Sequence, residues 1–262
     1  MPALVNAAEA VSARVGSSLS RSIAFLLDID GTLVHTDHLY RKVFQRLLTP
    51  LGYHVDDDFY LANVHGKVDA EVFGKLLPPG SSEEALAAMS KRKDDCFVEL
   101  FWEQTRADGE PPMLKGLREA LTMAQQLGVR CIAVTNAQRG AGEATIASLR
   151  EHIPAASIIE GLVIGAECEK AKPAPDPYIE GMRQLGVRPS DCVVFEDSRS
   201  GVRSGVAANV MSVVGLRTSL TDVQLREAGC NATLGDWSEM DADFLGSLIA
   251  PLEREPSPEA SA

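Results

Sequence analysis

The segment FLLDIDGTLVHTD, from Phe25 to Asp37, sets Asp28 and Asp30 one residue apart behind an apolar run and follows the second with Gly31. Two carboxylates so close repel each other, and the pair is tolerable when a cation shares the site. Other apolar runs also end in polar groups. CIAV leads into Thr135 and Asn136, VVF leads into Glu196 and Asp197, and the loop after GLVIG carries Lys172. In an open α/β sheet, ligands bind beyond the carboxyl ends of the strands, near the point where strand order reverses. These strand ends can therefore converge on one site.

The residue types point to phosphoryl transfer. Mg²⁺ prefers oxygen ligands and completes its shell with waters and a substrate phosphate, so an ion between Asp28 and Asp197 would cancel the repulsion. Asp28 is then free to attack phosphorus, which splits one hard displacement into two steps through an aspartyl-phosphate. Asp30, with Gly31 letting the backbone turn, is placed as general acid for the leaving oxygen and then as general base for water. Lys172 as a cation and Thr135 as a neutral donor suit the equatorial phosphate oxygens. Each feature also has a bland reading: Asp-Gly is a common turn signal, Thr135 and Asn136 suit a helix cap, Lys172 suits a solvated loop, and EDSRSG suits an acidic turn. That all of these bland readings hold together, in this order, is the weaker account.

The elements that must position these residues fall into two textures. Residues 38–111 carry helical patterns such as LYRKVFQRLL and KDDCFVELFWEQ and few strand signals, which predicts a helical insertion ended by ADGEPPM. Phe97, Phe101 and Trp102 fall at helical spacing and are read as its core. HGK, at His65 to Lys67, reads as a loop where Gly66 lets the backbone approach a ligand and His65 or Lys67 touches it, with a plain surface turn as the equal alternative. From Met113 onward, helices alternate with short apolar runs. LKGLREALTMAQQLG puts Leu114, Leu117, Leu121 and Ala124 on one face and ends at Gly128, before the strand VRCIAV. PYIEGMRQLG precedes CVVF, and SGVRSGVAAN precedes VMSVV, so the spacing predicts a doubly wound parallel α/β sheet.

Composition narrows the function classes. The formal net charge of the 262-residue chain is -12, and no basic stripe offsets it, which excludes nucleic acid as a partner. A small anionic ligand therefore needs a local cation. No apolar run approaches the ~18 residues of a membrane-spanning helix, so no membrane partner is expected. The five scattered cysteines form no C-x-x-C pair and read as reduced, buried thiols of an intracellular protein. Residues 1–22 are rich in Ala and Ser, with Arg14 and Arg21 against only Glu9. A frayed tail on a cytoplasmic protein and an organelle transit peptide both stay open. Monomer and weak dimer are equally open.

DIDGT at Asp28 to Thr32, VTNA at Val134 to Ala137, KPAPDPY at Lys172 to Tyr178 and FEDSRSG at Phe195 to Gly201 together resemble the four ordered motifs of the haloacid dehalogenase superfamily. The insertion after the first motif resembles its C1 helical cap. Within the superfamily the chain is most similar to the branch of β-phosphoglucomutases and sugar-phosphate phosphatases, and in VTNAQR, GAECEKAKPAPDPY and HGK to the broad-range plant-type phosphatases. The resemblance implies a Rossmann-like core with an inserted α-helical cap. The division it suggests is residues 1–21 as a flexible tail, 22–36 and 113–240 as core, 37–112 as cap, and 241–262 as a C-terminal helix or disordered tail.

The resemblance also implies roles. Asp28 is the nucleophile, Asp30 the acid/base and a backbone-carbonyl ligand to Mg²⁺, Thr135 and Lys172 the phosphate binders, and Asp197 a metal ligand. Glu196 is a ligand or a partner of one, and Asn136 a neighbour of the phosphate or substrate, with His65, Gly66 and Lys67 as cap-side substrate contacts. The implied activity is Mg²⁺-dependent hydrolysis of a small sugar or polyol phosphate, with a phosphosugar mutase as the alternative. Mutases of this family tend to carry Val after Asp-Gly and an arginine three residues beyond the glycine that aligns with Gly66. Thr32 and Asp69 stand in those places here and favour hydrolysis. Dehalogenases lack the second Asp, and a catalytically silent scaffold fits poorly with four intact motifs.

Overall fold

A computed structural model of the chain describes residues 23–249, so the expectations for residues 1–22 and 250–262 lie outside the described residues. Six strands form one sheet: β1 (Ala24–Leu27), β2 (Arg130–Thr135), β3 (Ile159–Ile164), β4 (Cys192–Glu196), β5 (Ser212–Leu216) and β6 (Ala232–Leu234). Their order is β3-β2-β1-β4-β5-β6 and every pairing is parallel. The chain builds outward from β1 to β3, then returns to the other side of β1 with β4. Strand order thus reverses between β1 and β4, which pair from Ala24 with Cys192 to Leu27 with Phe195.

The strands alternate between two buried faces. Phe25, Leu27, Cys131, Ala133, Val193 and Phe195 enter one core, whereas Ala24, Leu26, Ile132, Val134, Cys192 and Val194 enter the other. A strand buried on both faces reads as a continuous apolar run, which is why AFLL and CVVF show no polar alternation.

Between β1 and β2 the chain inserts α1 (Asp37–Leu48), α2 (Asp57–Asn63), α3 (Asp69–Leu76) and α4 (Glu83–Asp108). α1 contains the LYRKVFQRLL pattern and buries Leu39, Val43, Phe44 and Leu47 at helical spacing. α4 runs well beyond KDDCFVELFWEQ. Ser82 accepts from the Ala85 N–H at 3.3 Å, and at the far end the Gly109 N–H, at φ +79°, returns to the Thr105 carbonyl at 2.9 Å. Caps therefore set the length of α4, and its polar first half carries no apolar stripe to announce it. Phe97 and Phe101 are fully buried and Trp102 partly so, in a core separate from those of the sheet. The two connections to this helical layer run side by side: the His35 N–H donates to the Pro112 carbonyl at 2.7 Å, and the Leu114 N–H to the Leu33 carbonyl at 3.0 Å.

After the insertion, α5 (Leu117–Gln126) and α6 (Arg139–His152) cover one face of the sheet, and α7 (Asp176–Leu185), α8 (Arg199–Ala207) and α9 (Asp222–Ala228) cover the other. α10 (Ala242–Ile249) adds Leu245 and Leu248 to the first face. Leu114 lies ahead of α5 rather than on it, because Gly116 at φ +81° breaks the helical path, yet it stays buried in the same core. Ala141 and Ala144 of α6 pack against the helical layer, which fixes that layer over the β2 side of the sheet. Among the described residues no helix is long and apolar enough to cross a membrane.

Candidate active site

β1 and β4 deliver the first carboxylates at the reversal point. The Asp28 N–H donates to the Phe195 carbonyl at 3.0 Å, continuing the β1–β4 pairing one residue past the strand. The Lys172 ammonium spends its three donors on Asp28 Oδ1 at 2.8 Å, Glu196 Oε1 at 2.6 Å and the Val134 carbonyl at 2.7 Å. Lys172 also lies 4.8 Å from the centre of the Tyr178 ring. Burial pulls the lysine pKa down, but Asp28 and Glu196 reverse this and leave it raised. Burial and the nearby Glu196 push Asp28 well above the usual carboxylate range, with Lys172 opposing.

Glu196 is fully buried and accepts five hydrogen bonds. Lys172 and the Tyr178 hydroxyl, at 2.9 Å, reach Oε1, while the Asp197 and Ser198 N–H groups and the Ser198 hydroxyl reach Oε2 at 3.2, 3.2 and 3.0 Å. Asp197 Oδ2 accepts from Ser219 at 2.8 Å and lies 3.4 Å from His65 Nε2. Burial raises the Asp197 pKa, and His65 opposes it. For His65, burial lowers the pKa, but the hydrogen bond to Asp197 and the charges of Asp197, Asp37 and Glu196 together outweigh this and lift it to about 9. Asp28, Glu196 and Asp197 each offer a ligand oxygen, all within 4.8 Å of one another and all on buried residues. An all-oxygen, anionic donor set of this kind fits a hard divalent cation. Gly31 makes room for the Asp197 carboxylate: at φ +77°, a Cβ there would lie 2.0 Å from Asp197 Oδ2.

Asp30 sits on the other side of that turn. It accepts from Thr36 Oγ1 at 2.6 Å and from the Tyr40 hydroxyl at 3.4 Å, both contributed by the start of the helical layer. Burial raises its pKa to about 6, Thr36 opposing and Asp37 reinforcing the rise.

β2 and the helical layer close the site. The Thr135 hydroxyl accepts from the Ala137 N–H at 2.9 Å, so it shapes the loop before α6 without capping that helix. The Asn136 amide donates to the Lys172 carbonyl at 3.2 Å and accepts from the Lys172 N–H at 3.3 Å, tying the β2 and β3 loops together. The Gly66 carbonyl accepts from Ser200 Oγ at 2.6 Å, and Gly66 has φ +70° with Ser198 close to where a Cβ would lie. Lys67 turns back onto its own layer, donating to the Ala62 carbonyl at 2.9 Å with Glu71 at 3.4 Å.

These groups surround a small cavity of about 70 Å³ between sheet edge and helical layer. Every site residue picked out from the sequence lines it except Glu196, which stands behind the wall as the partner of Lys172. The wall also includes residues the sequence did not single out for chemistry: Asp37, Tyr40, Tyr60, Lys93 and Ser200. Their signal was weak because none of them directly follows an apolar run at a strand end.

Residues 24–209 match the family described as haloacid dehalogenase-like hydrolase. The chain is 32% identical over 233 residues to Protein CbbY of Rhodobacter capsulatus, an alignment covering 87% of this chain and 97% of that protein. It is 29% identical over 211 residues to the phosphorylated carbohydrates phosphatase of Thermotoga maritima, covering 80% and 92%. Among solved structures, CbbY from Rhodobacter sphaeroides in complex with phosphate matches with a TM-score of 0.70 at 25% identity, over 83% of this chain and 96% of that one.

Proposed function

The chain belongs to the haloacid dehalogenase-like hydrolase family, and from that premise we propose that it is a Mg²⁺-dependent phosphatase acting on small sugar or polyol phosphates through an aspartyl-phosphate on Asp28. The observation that carries this reading is the convergence of Asp28, Glu196 and Asp197 within 4.8 Å at the strand-order reversal, with one lysine among them. The phosphatase named among the relatives supports the substrate class.

Asp28, Asp197 and the Asp30 backbone carbonyl would hold the ion, with Glu196 a further ligand or the anchor of Lys172. A bound Mg²⁺ supplies positive charge that offsets the buried carboxylates and the phosphate oxygens. Asp28 attacks phosphorus, forming the aspartyl–phosphate bond as the ester P–O bond breaks, and Asp30 gives its proton to the departing alcohol oxygen. The carboxylate pKa near 6 leaves Asp30 able to hold that proton. In the second half, Asp30 takes a proton from water, water oxygen attacks phosphorus, and Asp28 is released with inorganic phosphate. Lys172 and Thr135 hold the equatorial oxygens in place. Asn136 orients Lys172 through the two hydrogen bonds to its backbone. His65, Gly66 and Lys67 border the substrate from the helical layer.

Hydrolysis is preferred to mutase chemistry because Asp69, placed where the mutases carry arginine, is engaged with Lys93 at 2.8 Å and cannot add a cation for a second phosphate. Phosphate release from a sugar phosphate with Mg²⁺ is expected. Asp28→Asn should lower turnover of an aryl phosphate by about 10³-fold or more. An unchanged rate would remove Asp28 from its role, and interconversion of glucose 1-phosphate and glucose 6-phosphate without free phosphate would assign the mutase.

A further inference from the structure

α6 follows directly on the loop that carries Thr135 and Asn136, yet nothing in that loop caps it. Gln138, at the N-cap, has the extended backbone of a capping residue (φ -69°, ψ 160°) but makes no side-chain hydrogen bond to the first turn, and that turn holds no acid of its own. The acceptor comes from the helical layer. Asp94, on α4, accepts the Ala141 N–H on Oδ1 at 2.9 Å, the N–H that a local Asp or Ser cap would ordinarily satisfy. A carboxylate also suits the positive end of a helix. Arg139, the cation at that end, is engaged by Glu143 and Glu167.

Neighbouring residues are fitted to this contact. A Cβ on Gly140 would lie 2.3 Å from Asp94 Oδ2, so glycine, ordinarily unfavourable in a helix, is what lets the carboxylate reach the backbone. Ala141 and Ala144 are buried in the core of the helical layer, and Ala137 of the loop packs against the same core. The segment 135–141 is therefore pinned twice. β2 and the Thr135 hydroxyl, which accepts from the Ala137 N–H at 2.9 Å, hold one end, and Asp94 holds the other from 47 residues away. Asp94 does not line the cavity that contains Asp28 and Asp30, so its contact is with the scaffold and not with a substrate.

We propose that Asp94 is a positioning residue: by capping α6 from the helical layer, it makes the placement of the Thr135 and Asn136 loop depend on that layer being seated over the sheet. The inference rests on the phosphatase reading and adds how the layer acts on the phosphate-binding groups without touching the substrate. A cap that served α6 alone could be supplied by residue 138, as N-caps usually are. A cap supplied by the layer is lost whenever the layer lifts, and the loop is then released at one end. Phosphate binding and seating of the layer thus favour each other, and weakening the contact lowers the fraction of molecules competent to bind.

The test separates capping from coupling. Asp94→Ala removes the acceptor, and Asp94→Ala/Gln138→Asp returns one within α6, at the position from which an N-cap carboxylate reaches the Ala141 N–H. For each, the melting temperature is measured, with KM and kcat for 4-nitrophenyl phosphate and the inhibition constant of inorganic phosphate, all with Mg²⁺. Asp94→Ala should melt lower and raise KM and the phosphate inhibition constant by about 10-fold, the worth of one charge-assisted hydrogen bond, with kcat within about threefold of wild type. The double variant should recover the melting temperature and keep both constants raised. Asp94→Asn, which still offers an acceptor from the layer, should bring both constants back toward wild type. Recovery of the constants along with the melting temperature in the double variant would reduce Asp94 to a helix cap, and constants within twofold of wild type in Asp94→Ala would remove the coupling. If Asp94→Ala does not fold, the double variant carries the comparison with wild type. A wild type that releases no phosphate overturns the phosphatase reading itself; one that does, with the constants of Asp94→Ala unmoved, overturns this inference alone.

Discussion

Lys172 and Asp28 are 144 residues apart in the chain and 2.8 Å apart in space. Glu196 has other hydrogen-bond partners besides this lysine, yet the lysine supplies the charge that makes Asp28 and Glu196 compatible in one buried site. Lys172→Met keeps the length of the side chain and removes that charge. Breaking a buried ion pair from one side typically destabilises by ~3–5 kcal/mol, so the variant should unfold at clearly lower urea and lose phosphatase turnover. Lys172→Arg should not rescue it, since a planar guanidinium cannot replace a tetrahedral ammonium directed at two carboxylates and the Val134 carbonyl. Native-like urea stability in Lys172→Met would show that the two acids do not depend on the lysine.

The sheet and its site were legible because one physical rule links them: polar residues that follow apolar runs lie at the same edge when all strands are parallel. Asp28, Thr135, Lys172 and Asp197 could be assigned to one place on that ground alone. The sequence left Glu196 open as a metal ligand or a partner of one, because its contacts with Lys172 and Tyr178 come from distant parts of the chain. The helical layer was harder still. Lys93 opens the helical pattern KDDCFVELFWEQ among charged neighbours, with nothing to mark it as buried, and it is buried because α4 packs there against α1 and α3. Asp69 is a helix-start residue of ordinary appearance, and its burial depends on Lys93 arriving from elsewhere in the chain.

Gly201 tests how tightly Glu196 is enclosed. A Cβ at Gly201 would lie 1.6 Å from Glu196 Oε1 and 2.1 Å from Oε2, on a side chain with no exposed surface to retreat to. The helix itself would favour alanine over glycine by ~1 kcal/mol, so any loss reports the collision. Gly201→Ala should be destabilised by about 1–3 kcal/mol, the usual range for overpacking, and should lose activity as the Glu196–Lys172 contact shifts. Thermal unfolding checks the first and phosphate release the second; a stabilised variant would mean that the Glu196 side chain yields readily.

The thiols carry a pH dependence whose sign follows from burial. Burial raises the Cys192 and Cys230 thiols to about 12 and raises Cys131 as well. The native protein keeps these protons above pH 9, where the unfolded chain releases them. Their contribution is therefore fully present below about pH 9 and is lost as pH rises toward 12, by ~1.4 kcal/mol per pH unit for each group at most. At pH 8 a small alkylating reagent should modify the half-buried Cys96 and Cys168 and leave Cys131, Cys192 and Cys230 unmodified until the chain is denatured. Mass spectrometry distinguishes the two sets, and rapid native labelling of Cys131 would contradict its burial between the sheet strands.

Metal should act on stability as well as on turnover, and the two readouts can be separated. Asp28, Glu196 and Asp197 bring three buried carboxylates together against the Lys172 ammonium and the His65 imidazole, and burial has already pushed Asp28 and Asp197 upward in pKa. A cation bound among them relieves that repulsion only in the folded state, so Mg²⁺ should stabilise the protein by mass action, ~2.7 kcal/mol at one hundred times its Kd. Differential scanning fluorimetry without substrate should show the melting temperature rising with Mg²⁺ and returning to its starting value with EDTA. Asp197→Asn should abolish that rise while itself melting no lower than the metal-free wild type, because the amide removes one of the crowded charges. An equal Mg²⁺-dependent rise in wild type and Asp197→Asn would place the cation elsewhere on this acidic chain.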